Sequence, residues 1–373
     1  MAVKLSVFSN SLHHFGMLSL KSISDSTRLQ FVRCQSIMAK KLVYSEYGDA
    51  MKVVRQEKET LTAPKDNEIL VQMLAAPINP ADINTIQGVY PVKPQLPSIP
   101  GNEGVGEVVA VGCGVSNLKT GDKVMPRGIA WGTWRTHGIC EAKEMVKVPD
   151  NIGIVEAATV TVNPCTAYRM LRDFVSLKSG DTVLQNGANS AAGQNVIQMC
   201  RAWGLTSVNV VRNRENLDEL KKYLTSLGAS HILTEEELRT TDIFKKSVVP
   251  KPKLLLNCVG GKNALECLRH LDKGGIMVTY GGMSREPVTV PTSALIFKDV
   301  VVRGFWMTQW SKDHMGSAEQ SQMFSDIWDM YKEGQLKPPA HKLIPFSQYK
   351  EALQNTMNPK GFTGLKYVFD FQS

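Results

Sequence analysis

The sequence has seven cysteines but no C-x-x-C pair. A structural zinc needs three or four Cys, His or carboxylate ligands in a defined geometry, and thiols this scattered do not supply them. A disulfide framework is not expected either in a chain of 373 residues with this composition. Because several cysteines lie inside apolar runs, we interpret them as reduced core thiols. They are Cys34, Cys113, Cys140, Cys165, Cys200, Cys258 and Cys267.

Acidic side chains are nearly absent from the first 40 residues, where Asp25 is the single one beside five basic residues and eight serines. This composition predicts a mitochondrial presequence over residues 1–40, hence a location in the matrix, and a disordered tail is the alternative. No apolar run here approaches the ~18 residues of a membrane span. Without residues 1–40 the net charge falls from +8 to +4, which is too mild and dispersed to indicate nucleic-acid binding.

The stretch from Asp181 to Gly204 predicts a strand, a tight turn and a helix. A short apolar run at Thr182–Gln185 gives way to small residues, after which apolar residues recur at helical spacing. Small residues in such a turn let the backbone approach a pyrophosphate, and free amides at the start of the helix face the anion. Since GANSAAG is not a clean G-x-G-x-x-G, an ordinary strand-to-helix turn is the alternative.

A second predicted strand, Leu205–Val211, ends in Arg212, Asn213 and Arg214. An NAD site carries an acidic residue about 20 residues past the turn to bind the ribose 2′-hydroxyl. That acid is missing here, and two guanidinium groups stand in its place. Their planar fork suits the 2′-phosphate of NADP, which makes NADPH the predicted cofactor, while a solvated basic strand end is the alternative.

Without its first 40 residues the chain still exceeds the ~250–300 residues at which single cores stop growing, so we expect two domains. The first half has short strands at ILVQMLAAPIN, GEVVAVG and GDKVMP, which predict a compact, mostly antiparallel β domain. The second half alternates strands with helices, which predicts an α/β, doubly wound parallel sheet. Its later strands are predicted at His231–Thr234, Leu254–Cys258, Ile276–Tyr280 and Val300–Phe305, with a helix at Gln320–Lys332 and a terminal strand in GLKYVFDF.

Ligands of such sheets lie beyond the carboxyl ends of the strands. The segments at those ends are Val259–Gly261, then Tyr280, Gly281, Gly282 and Met283, and then Phe305, Trp306, Met307 and Thr308. Ordinary core packing is the alternative for the two larger aromatic residues, Tyr280 and Trp306.

In the first half, polar residues cluster in INPADIN, which holds Asn79, Asp82 and Asn84. Tyr90 follows in a loop rich in glycine and proline. Since it is not on an alternating strand, its hydroxyl is expected to face a cleft.

These motifs resemble the medium-chain dehydrogenase/reductase superfamily. Within it, the chain is similar to mitochondrial 2-enoyl thioester reductases from about Leu42 to the C-terminus. The resemblance rests on IQGVY, GTWRT, VNPCTAYRML, QNGANSAAGQ, VVRNR, LNCVGGK, VTYGGM and IFKDVVVRGFW in one order.

The chain departs from the zinc alcohol dehydrogenases of that superfamily at Asn102, where they carry a histidine. We therefore expect no metal. The alternative is that His137 and Glu103 pair as metal ligands. The ordinary interpretation of the two is a surface histidine and a buried, paired acid.

The resemblance implies a Rossmann sheet, and with it a GroES-like catalytic domain in two parts. The implied ranges are 41–163 and 306–373 for the catalytic domain and 164–305 for the NADP-binding domain. It also implies a homodimer. The substrate would be a 2-enoyl thioester of coenzyme A or acyl carrier protein, reduced in mitochondrial fatty acid synthesis.

Tyr90 matches the family's hydrogen-bond donor to the enolate that forms when a hydride adds to the β-carbon. A phenol holds its proton at neutral pH, which suits an acid. The implied cofactor contacts are Asn163, Asn189, Ser190, Ala191, Ala192, Arg212, Asn213, Arg214, Tyr280, Gly281, Gly282, Met283, Phe305, Trp306, Met307, Thr308 and Lys366. An NADPH quinone oxidoreductase and a non-enzymatic NADPH-binding protein are the alternative functions.

Overall fold

A computed structural model describes residues 36–128, 131–357 and 365–373 of the chain. The predicted presequence therefore lies outside the described residues as far as residue 35. Residues 37–40 belong to a strand, Ile37–Val43, which is paired along its whole length with Arg55–Leu61. The position at which the presequence ends stays a prediction.

The described strands are β1 (Ile37–Val43), β2 (Arg55–Leu61), β3 (Glu68–Pro77), β4 (Val105–Val111), β5 (Lys123–Pro126), β6 (His137–Glu141), β7 (Met145–Lys147), β8 (Thr182–Asn186), β9 (Thr206–Val211), β10 (His231–Thr234), β11 (Leu254–Asn257), β12 (Ile276–Thr279), β13 (Val301–Gly304), β14 (His341–Pro345) and β15 (Lys366–Asp370). The described α-helices are α1 (Ala50–Val53), α2 (Pro80–Ile86), α3 (Ile154–Ala158), α4 (Asn163–Asp173), α5 (Ala191–Ala202), α6 (Leu217–Ser226), α7 (Glu235–Thr240), α8 (Gly261–Leu268), α9 (Thr292–Lys298), α10 (Met307–Asp313), α11 (Ala318–Lys332) and α12 (Tyr349–Met357).

The predicted doubly wound sheet is confirmed. Its six strands lie in the order β10-β9-β8-β11-β12-β13, and all of them are parallel. Successive residues of the central strands enter different cores: Val183 and Leu254 join one cluster, and Leu184 and Leu255 join another. Both faces are thus covered, as a parallel sheet requires. The chain leaves β8 for β9 on one side and later returns to β11 on the other, which opens a crevice at the carboxyl ends of the strands.

The predicted antiparallel domain is also confirmed. Its sheet has the order β14-β15-β3-β4-β5-β7, with β6 paired to β3, and only the β14–β15 pair is parallel. The C-terminal strand β15 pairs antiparallel with β3, so the tail of the chain returns to this sheet. None of the described helices is both long and apolar enough to cross a membrane.

Helix α11 packs with the part of the chain that forms the parallel sheet and its helices. Its Ile327 and Trp328 share a core cluster with Met170 of α4 and Met199 of α5. The predicted boundary at residue 306 therefore falls before a helix that is packed on α4, and the β strands of the tail join the other sheet only after it.

Candidate active site

The turn between β8 and α5 has the geometry of an anion site. Ser190 caps α5, and its hydroxyl accepts a hydrogen bond from the Gly193 amide at 3.1 Å. The N–H groups of Ala191 and Ala192, at the first two positions of the helix, have no intrahelical acceptor. Gly187 has φ +59°, and a Cβ there would lie 2.5 Å from Cys258 Sγ. Only glycine therefore fits at this position, where the backbone of the turn passes close to Cys258.

The carboxyl edge of the parallel sheet brings the predicted strand-end segments together. The Phe305 amide donates to the Thr279 carbonyl at 2.9 Å, and the Met283 amide donates to the Cys258 carbonyl at 3.0 Å. The Tyr280 hydroxyl is buried beside Cys258 and Ser190. Burial raises its pKa well above the usual value, so this group is a neutral donor at the edge where a ligand would lie.

Arg212 and Arg214 lie together just after β9. The pKa of Arg214 is lowered by burial and then by the charge of Arg212. A phosphate between the two guanidinium groups would relieve this repulsion. From β9 to β13 there are four strand spacings, or about 19 Å, which suits an extended dinucleotide. The turn, the neutral Tyr280 hydroxyl and the arginine pair therefore fit a dinucleotide that carries an additional phosphate.

A second feature is the cleft beside Tyr90, which has a cavity volume of about 90 Å³. The loop that carries Tyr90 is anchored to the end of α2, since the Val89 and Tyr90 amides donate to the Asn84 carbonyl at 3.0 and 3.2 Å. Tyr90 is half-buried and faces the cleft, as the sequence predicted. The cleft is lined by Tyr44, Asp82, Thr85, Tyr90, Val92, Pro94, Ser98, Ile99, Pro100, Gly101, Asn102, Thr308 and Lys312.

Tyr90 contacts Trp306 across the cleft. Trp306 Nε1 donates a hydrogen bond to Tyr90 Oη at 2.7 Å, and the two rings meet edge to face with centroids 5.9 Å apart. An indole N–H is a donor only, so the tyrosine oxygen is the acceptor and its own O–H hydrogen stays available for a second acceptor. The predicted catalytic residue thus lies beside two predicted cofactor contacts, Trp306 and Thr308.

Behind the cleft lies a buried polar network. Asn79 Nδ2 donates to Glu103 Oε1 at 2.8 Å, and Lys366 Nζ donates to Asn79 Oδ1 and lies 3.9 Å from the same Glu103 oxygen. Asn163 Nδ2 joins the network at Asn79 Oδ1, at 3.3 Å. Lys366 is 7% exposed, so it is not the exposed strand lysine ordinarily expected. Its contact with a cofactor phosphate stays a prediction.

Glu103 is a buried, paired acid and not a free ligand. It is 1% exposed, and its Oε2 accepts from the Val162 amide at 3.0 Å. Burial raises its pKa, and the nearby Lys366 charge opposes that rise. Within the described ranges, no group of three Cys, His, Asp or Glu is arranged to hold a metal ion.

Asp82 connects this network to the cleft. Its carboxylate accepts hydrogen bonds from the Asn79 amide at 2.7 Å and from the Asn102 amide and Nδ2 at 3.0 and 2.7 Å. Burial raises its pKa to about 7, and the charge of Glu103 adds to the rise. The sequence interpretation placed Asp82 in a polar cluster without giving it a role.

Sequence reasoning also missed Tyr44, Thr85 and Lys312 as lining residues. Tyr44 lies 46 residues before Tyr90 in the sequence, and no motif joins the two. Thr85 lies only five residues before Tyr90, but it was not assigned a role because helix α2 was not predicted. Lys312 follows Trp306 by six residues. It was missed because its place beside the cleft depends on helix α10, which begins directly after Trp306 and was not predicted.

Two family models match the chain. One is described as the alcohol dehydrogenase GroES-like domain and matches residues 65–150, and the other as zinc-binding dehydrogenase and matches residues 191–323. The mitochondrial enoyl-[acyl-carrier-protein] reductase of Xenopus tropicalis is 50% identical over 329 residues, which cover 87% of this chain and 93% of the relative. The human protein of the same name is 50% identical over 321 residues, or 85% of each chain. The solved Etr1p/NADP/crotonyl-CoA complex is 33% identical with a TM-score of 0.83, and the match covers 90% of this chain and 100% of that one.

Proposed function

The chain belongs to the mitochondrial enoyl-[acyl-carrier-protein] reductases of the medium-chain dehydrogenase/reductase superfamily, and from this premise we propose how its own residues perform the reaction. The protein is an NADPH-dependent oxidoreductase that reduces the 2,3-double bond of trans-2-enoyl thioesters in mitochondrial fatty acid synthesis. Its location is the mitochondrion.

Bound NADPH supplies a hydride to the β-carbon of the substrate. Negative charge then develops on the thioester carbonyl oxygen of the substrate, and a donor aimed at that oxygen or at the α-carbon lowers the barrier. Tyr90 is that donor. Its hydroxyl faces the cleft, and its proton passes to the substrate as the double bond becomes saturated.

The observation that carries this proposal is the Trp306–Tyr90 hydrogen bond. Trp306 fixes the position of the phenol oxygen without taking up its hydrogen, and it lies at the carboxyl edge of the sheet where the cofactor binds. A stable orientation of the donor is the condition for electrostatic stabilisation of a transition state.

The cofactor is bound along the carboxyl edge. The Ala191 and Ala192 amides would hold the pyrophosphate, and the residues after β12 and β13 would hold the nicotinamide end. Arg212 and Arg214 would hold the 2′-phosphate.

Changing both arginines to alanine should weaken NADPH binding by several kcal/mol, at ~1.5–3 kcal/mol for each charge-assisted contact, with little change in NADH use. An unchanged NADPH/NADH preference in a titration would reject this assignment.

The direct test is the oxidation of NADPH with a trans-2-enoyl-CoA and, in parallel, with a quinone. We expect turnover with the thioester and much slower turnover with the quinone. A preference for the quinone would make the protein a quinone oxidoreductase. Tight NADPH binding without turnover of either acceptor would favour a non-enzymatic role.

A further inference from the structure

The Tyr90 cleft is lined by one buried carboxyl group and one exposed cation. Asp82 is the one acidic residue and Lys312 the one basic residue among the described residues that line it. Asp82 is 2% exposed, whereas Lys312 is exposed on α10. Apolar side chains, including Val92 and Ile99, form part of the wall. The cleft therefore has a buried acidic end and a cation at the end that faces solvent.

Lys312 is not neutralised by the protein. In the ranges that the structure describes, no carboxylate forms an ion pair with it, and the adjacent Asp313 accepts a hydrogen bond from Gln309 Nε2 at 2.7 Å instead. An uncompensated cation at the mouth of a cleft attracts an anionic part of a ligand.

The distance between Lys312 and the reacting groups suits a substrate with a long arm. It lies six residues after Trp306, which corresponds to about 9 Å along the helix axis, and its flexible side chain extends further. Because Trp306 marks the position of the Tyr90 hydroxyl, a group bound by Lys312 must reach Tyr90 through an arm of several bonds.

We propose that Lys312 binds the phosphate of the 4′-phosphopantetheine arm that carries the enoyl group. This proposal rests on the function proposed above, since that arm is shared by coenzyme A and acyl carrier protein. An ammonium is a compact charge that contacts a phosphate oxygen without a fixed bidentate geometry, which suits an arm that must move in and out.

The charge arrangement also gives the substrate one orientation. A phosphate at the inner end would lose its hydration beside the Asp82 carboxyl, which is unfavourable. At the outer end it stays partly hydrated and meets Lys312. The arm therefore lies with its phosphate outward and its thioester toward Tyr90.

The test uses two substrates that differ only in the phosphate: 2-enoyl-4′-phosphopantetheine and 2-enoyl-pantetheine. The measured quantity is the ratio of kcat/KM for the first substrate to kcat/KM for the second. Lys312→Glu should lower this ratio by about tenfold, given the strength of charge-assisted contacts and the solvent screening at an exposed site. Lys312→Arg should keep most of the ratio.

Lys273→Glu is the matched control. Lys273 is exposed in the turn before β12, at the amino edge of the sheet and thus on the side opposite the ligands. It should keep the parental ratio. If Lys312→Glu also kept the parental ratio, or lowered kcat/KM equally for both substrates, the assignment would be overturned.

A second pair of measurements uses 2-enoyl-CoA and 2-enoyl-acyl carrier protein. With Lys312→Glu, kcat/KM should fall for both, because both contain the phosphate. A loss confined to the carrier-protein substrate would mean that Lys312 contacts the carrier protein, and a loss confined to CoA would mean that it contacts the nucleotide. Either result contradicts the proposal, whereas a parent protein inactive on every thioester would contradict the function itself.

Discussion

The Tyr90 hydroxyl is held by one donor, Trp306, and its loop is anchored to α2. Phenylalanine at this position keeps the ring and its edge-to-face contact but removes the acid. We expect Tyr90→Phe to fold and bind NADPH normally while kcat for a 2-enoyl-CoA falls by ~10²–10³-fold, the usual cost of removing one aimed donor. Turnover and thermal stability should be measured together, because a structural tyrosine would lose stability instead.

Tyr47→Phe is a suitable control for that experiment. The Tyr47 hydroxyl donates to the Pro94 carbonyl at 3.1 Å, so this variant also loses one hydroxyl that touches the same loop. Its kcat should stay close to that of the parent. If kcat of Tyr90→Phe were within about threefold of the parental value, the activation free energy would differ by only ~0.65 kcal/mol, and Tyr90 would not be the acid.

Asp82 should make stability depend on pH. Its carboxyl has a pKa of about 7 in the folded chain, against ~3.9 when unfolded. Between these values the folded state binds the additional proton, so the stabilisation is complete below pH 4 and is lost as the pH rises through 7. Asp82→Asn cannot titrate. Urea unfolding of both proteins should show that the free energy of unfolding of the parent, relative to that of Asp82→Asn, decreases from pH 5 to pH 8. A difference that stayed constant over this range would contradict the raised pKa of Asp82.

At the residue scale, the sequence predicted side chains whose motif and chemistry agree, such as Tyr90 and Arg212. It did not predict groups whose role depends on long-range packing. Tyr280 was assigned by resemblance, but the burial of its hydroxyl follows only from long-range packing. Asp82 acquires its raised pKa from burial, and the charge of Glu103, 21 residues away in the sequence, adds to the rise.

Among the elements, the strands of the parallel sheet were predicted within one or two residues. The central strands β8 and β11 are fully buried, so apolar residues mark them between turns, whereas the edge strand β13 is largely exposed. β2 was missed because its sequence, RQEKETL, has no apolar alternation and its side chains are mostly exposed or half-buried. Helix α2 was missed although Asn79 and Asp82 form a capping box around Pro80.

β1 gives a prediction about the start of the mature chain. Deleting residues 1–35 keeps the strand, whereas deleting residues 1–40 removes the residues that pair with Lys58–Leu61 of β2. The longer deletion also removes the buried Ala39 and the Lys40 carbonyl that accepts from the Thr136 amide at 2.8 Å. We expect the first variant to keep the parental Tm and the second to melt several degrees lower. Equal Tm values would mean that β1 contributes no stability.

For the whole molecule, the predicted homodimer has a candidate surface. Helix α9 exposes Ile296 and Phe297 by 67% and 76%, and the adjoining β13 is the edge of the parallel sheet. An exposed edge strand beside apolar side chains suits docking of a second copy of this chain. Ile296→Lys with Phe297→Lys should convert a dimer into a monomer in light scattering. Val248→Lys, at another exposed apolar residue, should leave the mass unchanged. A dimer that survived the double change would have its interface elsewhere.

The pairing of β15 with β3 also determines when the protein can fold during synthesis. β3 leaves the ribosome early, but the strand that must lie beside it is among the last residues to be made, and 288 positions separate Pro77 from Lys366. At a synthesis rate of ~5–20 residues per second this delay is roughly 15–60 s. Throughout that time Ala75–Pro77 of β3 lack their partner strand, although β6 can already pair with Glu68–Gln72 on the same side. This short end of β3 is therefore open to pairing with another strand. The catalytic half is therefore the first to emerge and the last to be completed, and a nascent chain of this protein depends on chaperones longest at the end that will carry Tyr90.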